Sequence, residues 1–209
     1  MDVVTDQEAL WAGEFGDAYT RRSTGSALLA ANVALFAQAL HRADKPSSCI
    51  EFGANVGMCL RALKALFPDQ EQAALEINPA AVAILRRSLP DANVIQGSIL
   101  AFRATRTWDL VLLKGVLIHQ NPETLPAVYD SIVAACGRWL LICEYFNPTP
   151  VMVEYRGAKD RLFKRDFAGE IMGRHSCMTL ADYGFVYRRD PSFPQDDVNW
   201  FLMEKRTRG

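Results

Sequence analysis

Apolar residues recur along the chain with two periods, and the switches between them lay out the fold. From Thr24 to Arg42, Leu28, Leu29, Val33, Phe36 and Leu40 fall on one face of a 3.6-residue period, which predicts a helix. The run Ser48-Cys-Ile-Glu-Phe-Gly53 is short and mostly apolar and ends in a turn residue, a buried-strand pattern. Met58 to Phe67 returns to helical spacing through Leu60, Ala62, Leu63 and Leu66 and stops before Pro68. Gln72 to Ile77 reads as a second strand, and Asn78-Pro79 supplies an N-cap and a first-turn proline for a helix running to Leu89. Asn93 to Gln96 is a third strand and Trp108 to Leu113 a fourth; Asn121-Pro-Glu opens a helix through Ala135, and Trp139 to Tyr145 is a fifth strand. Strands alternating with helices at this spacing specify βαβ units and a parallel sheet with right-handed crossovers.

The tail departs from this rhythm. Tyr183 to Arg188 and Trp200 to Lys205 are strand-like, and the segment between them, rich in Pro and Asp, leaves no room for a crossover helix. They should pair as a hairpin. Five parallel strands followed by an antiparallel hairpin point to an α/β, Rossmann-like class I methyltransferase fold with a mostly parallel seven-stranded sheet. Residues 24–209 then form one domain, and residues 1–23 an N-terminal segment able to fold over it as a lid.

Composition narrows the function classes. The 209 residues are 50% hydrophobic and 22% charged, with 23 Lys+Arg against 24 Asp+Glu, so bulk electrostatics would not hold nucleic acid or an anionic membrane. Function must come from a site. Cys49, Cys59, Cys136, Cys143 and Cys177 lack CxxC spacing and sit mostly in apolar runs, as buried thiols of a reducing compartment do. The start, MDVVTDQEAL, lacks the basic and apolar regions of a signal peptide, and the apolar stretch 27–40 is too short to span a bilayer, so a cytoplasmic protein is expected. The scattered histidines His41, His119 and His175 suggest no metal site.

In open α/β sheets ligands sit outside the carboxyl ends of the strands, where strand order reverses. The first strand ends in Glu51-Phe-Gly-Ala-Asn-Val-Gly57. A dinucleotide fingerprint would need GxGxxG; an S-adenosylmethionine pocket uses E/D-x-G-x-G-x-G, whose acid and glycines accommodate the methionine amine and carboxylate. The match is complete except that Asn55 replaces the middle glycine between Gly53 and Gly57. Glu76 ends the second strand, where a carboxylate can accept from both ribose hydroxyls. Ser98, at a position usually held by aspartate, can meet the adenine edge, with Ile77 and Ile99 on its faces.

The chain closely resembles the pseudaminic acid biosynthesis-associated methylases through Trp11-Ala-Gly-Glu-Phe-Gly-Asp-Ala-Tyr19, Glu51-Phe-Gly-Ala-Asn-Val-Gly57, Lys114-Gly-Val-Leu-Ile-His-Gln-Asn-Pro122, Glu144-Tyr-Phe-Asn-Pro-Thr-Pro150 and Asp182-Tyr-Gly-Phe-Val-Tyr-Arg-Arg-Asp-Pro191. The resemblance covers almost the whole chain and implies a class I, S-adenosylmethionine-dependent enzyme. The azetidine-2-carboxylate synthases look like the same scaffold turned to cyclising S-adenosylmethionine on itself with release of methylthioadenosine.

Methyl transfer is an in-line displacement at a sulfonium, so positioning can supply most of the catalysis, with a base needed only for a protonated acceptor. A cation also favours aromatic faces. Trp11, Phe15 and Tyr19 are candidates for this sheath from the lid, and Lys114 and Gly115 for the pocket wall. The candidate catalytic groups are Tyr145 and Asn147 after the fifth strand, His119 as a base, and Tyr183 from the tail. Tyr155 and Tyr187 are further aromatics of the tail region. The basic run 156–165 reads as a solvated face or as a contact for an anionic substrate, and Asp196-Asp197 as a loop closure or a site for an ammonium. A small-molecule methyltransferase is the first reading, the intramolecular cyclase the second, and a non-catalytic binder of the cofactor the third; the oligomeric state is not legible.

Overall fold

The computed structural model describes residues 5–21, 24–155 and 158–206, with the side chains of 154–161 left aside. Strands β1 (Ser48–Phe52), β2 (Glu71–Glu76), β3 (Asn93–Gln96), β4 (Trp108–Lys114) and β5 (Cys136–Glu144) run parallel. An antiparallel pair, β8 (Met178–Val186) and β9 (Val198–Lys205), closes the same sheet in the order β3-β2-β1-β4-β5-β9-β8. The order reverses between β1 and β4. Every residue of β1 is buried, as are the central residues of β4 and β5, which is why these strands read as unbroken apolar runs.

Alternate strand residues feed two cores. Ile50, Phe52, Val111, Leu113, Leu140 and Ile142 pack with α6 (Leu125–Ala135) and α7 (Phe167–Arg174) on one face. Cys49, Leu110, Leu112, Leu141 and Cys143 pack with α3 (Ser26–Ala39), α4 (Met58–Leu66) and Leu85 of α5 (Pro79–Ser88) on the other. Burial pushes the Cys143 thiol up to about 12, as expected of an inert core thiol. The N-cap expected before α5 is present: Asn78 Oδ1 accepts from Ala81 N at 2.9 Å.

Several elements differ from those expected of the sequence. The chain after Lys114 makes a single 3-10 turn, Leu117–His119, and α6 begins at Leu125, not at Asn121. β8 begins at Met178, earlier than Tyr183, with a bulge between Leu180 and Asp182 that shifts its alternation. Between β5 and α7 lies an unexpected second sheet, the hairpin of β6 (Val151–Tyr155) and β7 (Ala158–Lys164), which takes up the basic run. Leu162 and Phe163 of that run are buried and Arg165 pairs with Glu170 at 2.7 Å. Residues 156 and 157 lie outside the described residues, as do the side chains of Tyr155 and Lys159.

The N-terminal segment forms two short helices, α1 (Asp6–Ala12) and α2 (Glu14–Thr20), of which residues 1–4 and 22–23 lie outside the described residues. No helix among the described residues is long and apolar enough to cross a membrane.

Candidate active site

At the carboxyl ends of β1, β2, β3 and β4, where strand order reverses, lies a cavity of about 600 Å³. That is within the size range of small-ligand sites. The turn after β1 is wound tightly: Gly53 and Gly57 take φ of 70° and 80°, and Asn55 holds φ 47°, a left-handed conformation that Asn tolerates better than most residues. A Cβ on Gly53 would come within 2.6 Å of Val116 Cγ2, so glycine there lets the β1 and β4 loops touch.

Glu76 closes this turn. Its two carboxylate oxygens accept from Asn55 N and Asn78 N, each at 2.7 Å. A carboxylate offers about four acceptor sites, so Glu76 keeps acceptor capacity for a hydroxyl donor in the cavity that it lines. Burial raises the Glu76 pKa, and the backbone N–H groups of Asn78, Asn55 and Ile77 hold it down.

Glu51 sits on the floor, 3% exposed, and its Oε2 has no hydrogen-bond partner. Desolvation pushes its pKa up to about 8, opposed by a hydrogen bond with Cys59 and the charge of Lys114. Asn32, from the core face of α3, points its Nδ2 at Cys59 Sγ (3.9 Å) while its buried Oδ1 lacks a partner. Two unsatisfied buried acceptors lining one cavity call for a donor, and a cationic amine fits both. In the sequence Asn32 stands out only as a polar residue that interrupts the apolar stretch 27–40. That interruption was its signal.

Glu144, at the end of β5, organises the wall. It is buried and accepts from Val116 N (2.9 Å), Leu117 N (3.0 Å) and Ile118 N (3.4 Å), gathering the 3-10 turn that delivers His119 into the cavity lining. Desolvation pushes it up to about 7 against the pull of those three donors. The imidazole of His119 lies 4.8 Å from the Trp11 ring, and Trp11 also meets Phe15 and Tyr19 edge-on at 5.2 and 5.3 Å.

The N-terminal helices α1 and α2 are latched to three strand-end loops in turn. Thr20 Oγ1 donates to Asn55 Oδ1 after β1 (3.0 Å). Asn78 Nδ2 after β2 donates to Asp17 Oδ1 (2.8 Å) and Trp11 O (3.1 Å). Ser98 Oγ after β3 donates to Glu8 Oε1. Across the cavity, the β8–β9 loop contributes Arg188, Pro194, Gln195 and Asp196.

No family model matches this chain, and no curated protein matches it. Solved structures do. Magnesium protoporphyrin IX methyltransferase from Synechocystis, with bound S-adenosylhomocysteine, is 12% identical with a TM-score of 0.73, over 96% of this chain and 100% of that one. A Burkholderia thailandensis 1,6-didemethyltoxoflavin N1-methyltransferase is 14% identical with a TM-score of 0.71, over 99% and 94%. An amino pentose methyltransferase from Micromonospora echinaspora is 13% identical with a TM-score of 0.64, over 99% and 100%. This chain has the class I methyltransferase fold.

On that fold the expected cofactor residues divide. Trp11, Tyr19, Glu51, Gly53, Asn55, Glu76, Ile77, Ile99, Lys114 and Gly115 line the cavity together. Phe15 packs behind Trp11, and Gly57, with its φ of 80°, closes the turn after β1 from outside the lining. The hydroxyl of Ser98 is fully spent: it donates to Glu8 and accepts from Leu100 N (3.0 Å) and Ala101 N (3.3 Å). It orients Glu8 and has no valence left for an adenine edge.

Of the four candidate catalytic groups, His119 alone lines the cavity. Tyr145 packs against both cores under Lys164 Nζ, 5.0 Å from its ring. Asn147 Nδ2 donates to Thr149 O at 2.5 Å and so holds its own loop. Tyr183 is 66% exposed on the edge strand, stacked on Phe201 at 6.4 Å. Tyr187 is likewise exposed, beside Phe185. Tyr145 and Asn147 follow the fifth strand in sequence, but the chain there runs into the β6–β7 hairpin and not into the cavity lining; Tyr183, expected to begin a tail strand, falls inside β8 just after its bulge. Asp196 and Asp197 also separate: Asp196 lines the cavity, while Asp197 accepts from Arg188 N (3.0 Å) and faces its Nε at 3.4 Å. Among the described residues no three His, Cys, Asp or Glu gather as a metal-binding group.

Proposed function

We propose that this protein is an S-adenosylmethionine-dependent methyltransferase acting on a small molecule. The observation that carries the reading is the pair of buried carboxylates on one cavity, Glu76 beside the first glycine turn with acceptor capacity left over and Glu51 with an unsatisfied oxygen on the floor. Glu76 would take the ribose hydroxyls. Glu51 and Asn32 would take the methionine ammonium, and Ile77 and Ile99 would flank the base. The bound cofactor would supply an activated methyl on a sulfonium, and Trp11 and Tyr19 supply aromatic faces that suit that cation. His119, buried and held by the turn that Glu144 gathers, would accept a proton from an acceptor amine or hydroxyl. The structurally similar enzymes named above act on small molecules, which supports the same substrate class here. The motifs shared with the pseudaminic acid-associated methylases favour a sugar-type or specialised-metabolite acceptor in a cytoplasmic setting.

One observation favours the cyclase reading as a second. The unpartnered Oε2 of Glu51 on the cavity floor is placed to accept a proton from the cofactor's own ammonium where the carboxylate is ionised. The neutral amine could then attack the γ-carbon as the carbon–sulfur bond breaks, leaving methylthioadenosine and a four-membered amino acid. Incubating the protein with S-adenosylmethionine, first without and then with a panel of small amines and hydroxyl compounds, and identifying products by mass decides between them. S-adenosylhomocysteine formed only with an acceptor supports methyl transfer; methylthioadenosine without one supports cyclisation. Cofactor bound but unchanged under every condition leaves a binding protein.

A further inference from the structure

Glu8 presents a problem that the cofactor motifs do not explain. It is a carboxylate on a short surface helix, yet it is 5% exposed and lies in the cavity lining between Gln7 and Trp11. Its Oε1 is held by the Ser98 hydroxyl, whose own lone pairs are occupied by Leu100 N and Ala101 N. Those bonds fix both the rotamer of Ser98 and the place of the carboxylate. The carboxylate therefore stands at the end of β3, beside Gly97 and Ile99, which share the same lining. Ile77 and Ile99 offer the apolar faces for a planar base there, and the base's edge would meet Glu8.

We propose that Glu8 supplies, from the lid, the carboxylate that reads the 6-amino group of the cofactor's purine. The inference rests on the S-adenosylmethionine reading above. An exocyclic amine donates two hydrogens, and a carboxylate only accepts, so the pair is complementary; a 6-keto purine would set oxygen against oxygen. Ser98 stands where an aspartate is usual, and the structure accounts for this: the acid has moved to α1, and the serine holds it. The lid thereby becomes part of base recognition in addition to being a cover. The other latches hold α2, through Thr20 to Asn55 and Asp17 to Asn78, while Asn78 Nδ2 also grips Trp11 O at the end of α1, so the helix that carries Glu8 is fixed over the same strand ends.

The test compares S-adenosylhomocysteine with S-inosylhomocysteine, the same ligand with a keto oxygen in place of the 6-amino group, by calorimetry on the full chain. The wild type should prefer the amino ligand by about 30-fold or more, the size expected of a lost charge-assisted hydrogen bond. In Glu8→Gln, whose amide can either accept or donate, that preference should fall below about threefold. Thr20→Val loosens the lid without touching Glu8; it should weaken both ligands alike and preserve their ratio. An unchanged preference in Glu8→Gln overturns the proposal while leaving the cofactor reading intact. So does a Thr20→Val ratio that collapses as far as that of Glu8→Gln, because lid closure alone would then account for it. A wild type that binds neither ligand overturns both.

Discussion

Replacing Glu51 by Gln should make the ligand-free protein more stable and its cofactor binding weaker. Glu51 keeps a proton in the folded state up to about pH 8, whereas its ordinary value is 4.5, so folding takes up a proton between those limits. A raised carboxyl contributes its full stability below the unfolded value and loses it as pH rises toward the folded one. At about 1.4 kcal/mol per pH unit, holding the proton at pH 7 costs roughly 3 kcal/mol. Water in the cavity softens the burial, so about 2 to 3 kcal/mol is the expected gain for the neutral isostere. In a chain of this length that raises Tm by roughly 5 to 10 °C. Glu76 and Glu144 are also raised, so the quantity to track is the stability gap between wild type and Glu51→Gln from pH 5 to pH 8, by urea denaturation. The gap should widen with pH. A cationic ligand would pair with the ionised form, so wild-type affinity should rise with pH over the same interval, and Glu51→Gln should lose both the rise and about 10- to 100-fold of affinity. A gap that stays flat, or a variant less stable than wild type at pH 7.5, would refute the assignment of Glu51 as an uncompensated buried acid.

The same geometry sets three other outcomes. Glu76→Ala removes the proposed ribose acceptor and frees two backbone N–H groups, so the Kd for S-adenosylhomocysteine by calorimetry should rise at least tenfold, which is about 1.4 kcal/mol. Glu144→Gln leaves at most one oxygen for three backbone donors; stability should fall by about 1 to 3 kcal/mol, and the acidic limb of the pH–rate profile should change as His119 loses its place, while cofactor affinity moves less than threefold. Asn55→Gly relaxes a positive φ but removes the acceptor for Thr20, so the cofactor off-rate in stopped flow should rise several-fold without loss of stability.

The parallel core was legible because its residues obey local rules: buried strands read as apolar runs, and Asn78-Pro79 caps a helix in sequence as it does in space. Glu51, Gly53, Glu76 and Gly115 were legible for the same reason, since the end of a parallel strand constrains the backbone of the turn next to it. The β6–β7 hairpin was not, because its alternation lies under a run of Lys and Arg whose charge hides Leu162 and Phe163. Glu8 and Asn32 were not legible as site residues either. Each sits on a helix whose own pattern says only surface or interrupted core, and each is placed in the cavity lining beside a residue far away in sequence, Ser98 after β3 for Glu8 and Cys59 of α4 for Asn32.

The two positions that depart from the usual cofactor motif, Asn55 and Ser98, are therefore better understood as a matched set with the N-terminal helices. A glycine at 55 would satisfy the turn but offer no acceptor to Thr20; an aspartate at 98 would set a second carboxylate against Glu8. Like charges at that separation in a buried site cost more than a single lid hydrogen bond returns. An aspartate at 98 is thus compatible with this lid only if Glu8 is lost, and Glu8 is useful only where 98 is a donor. The same reasoning applies to Asn78, whose side chain caps α5 through its oxygen and grips the N-terminal helices through its nitrogen: a change to aspartate would keep the cap but lose both donated bonds and set a carboxylate against Asp17. Substitutions that restore the common motif should accordingly impair this protein unless the lid residue facing them is changed as well.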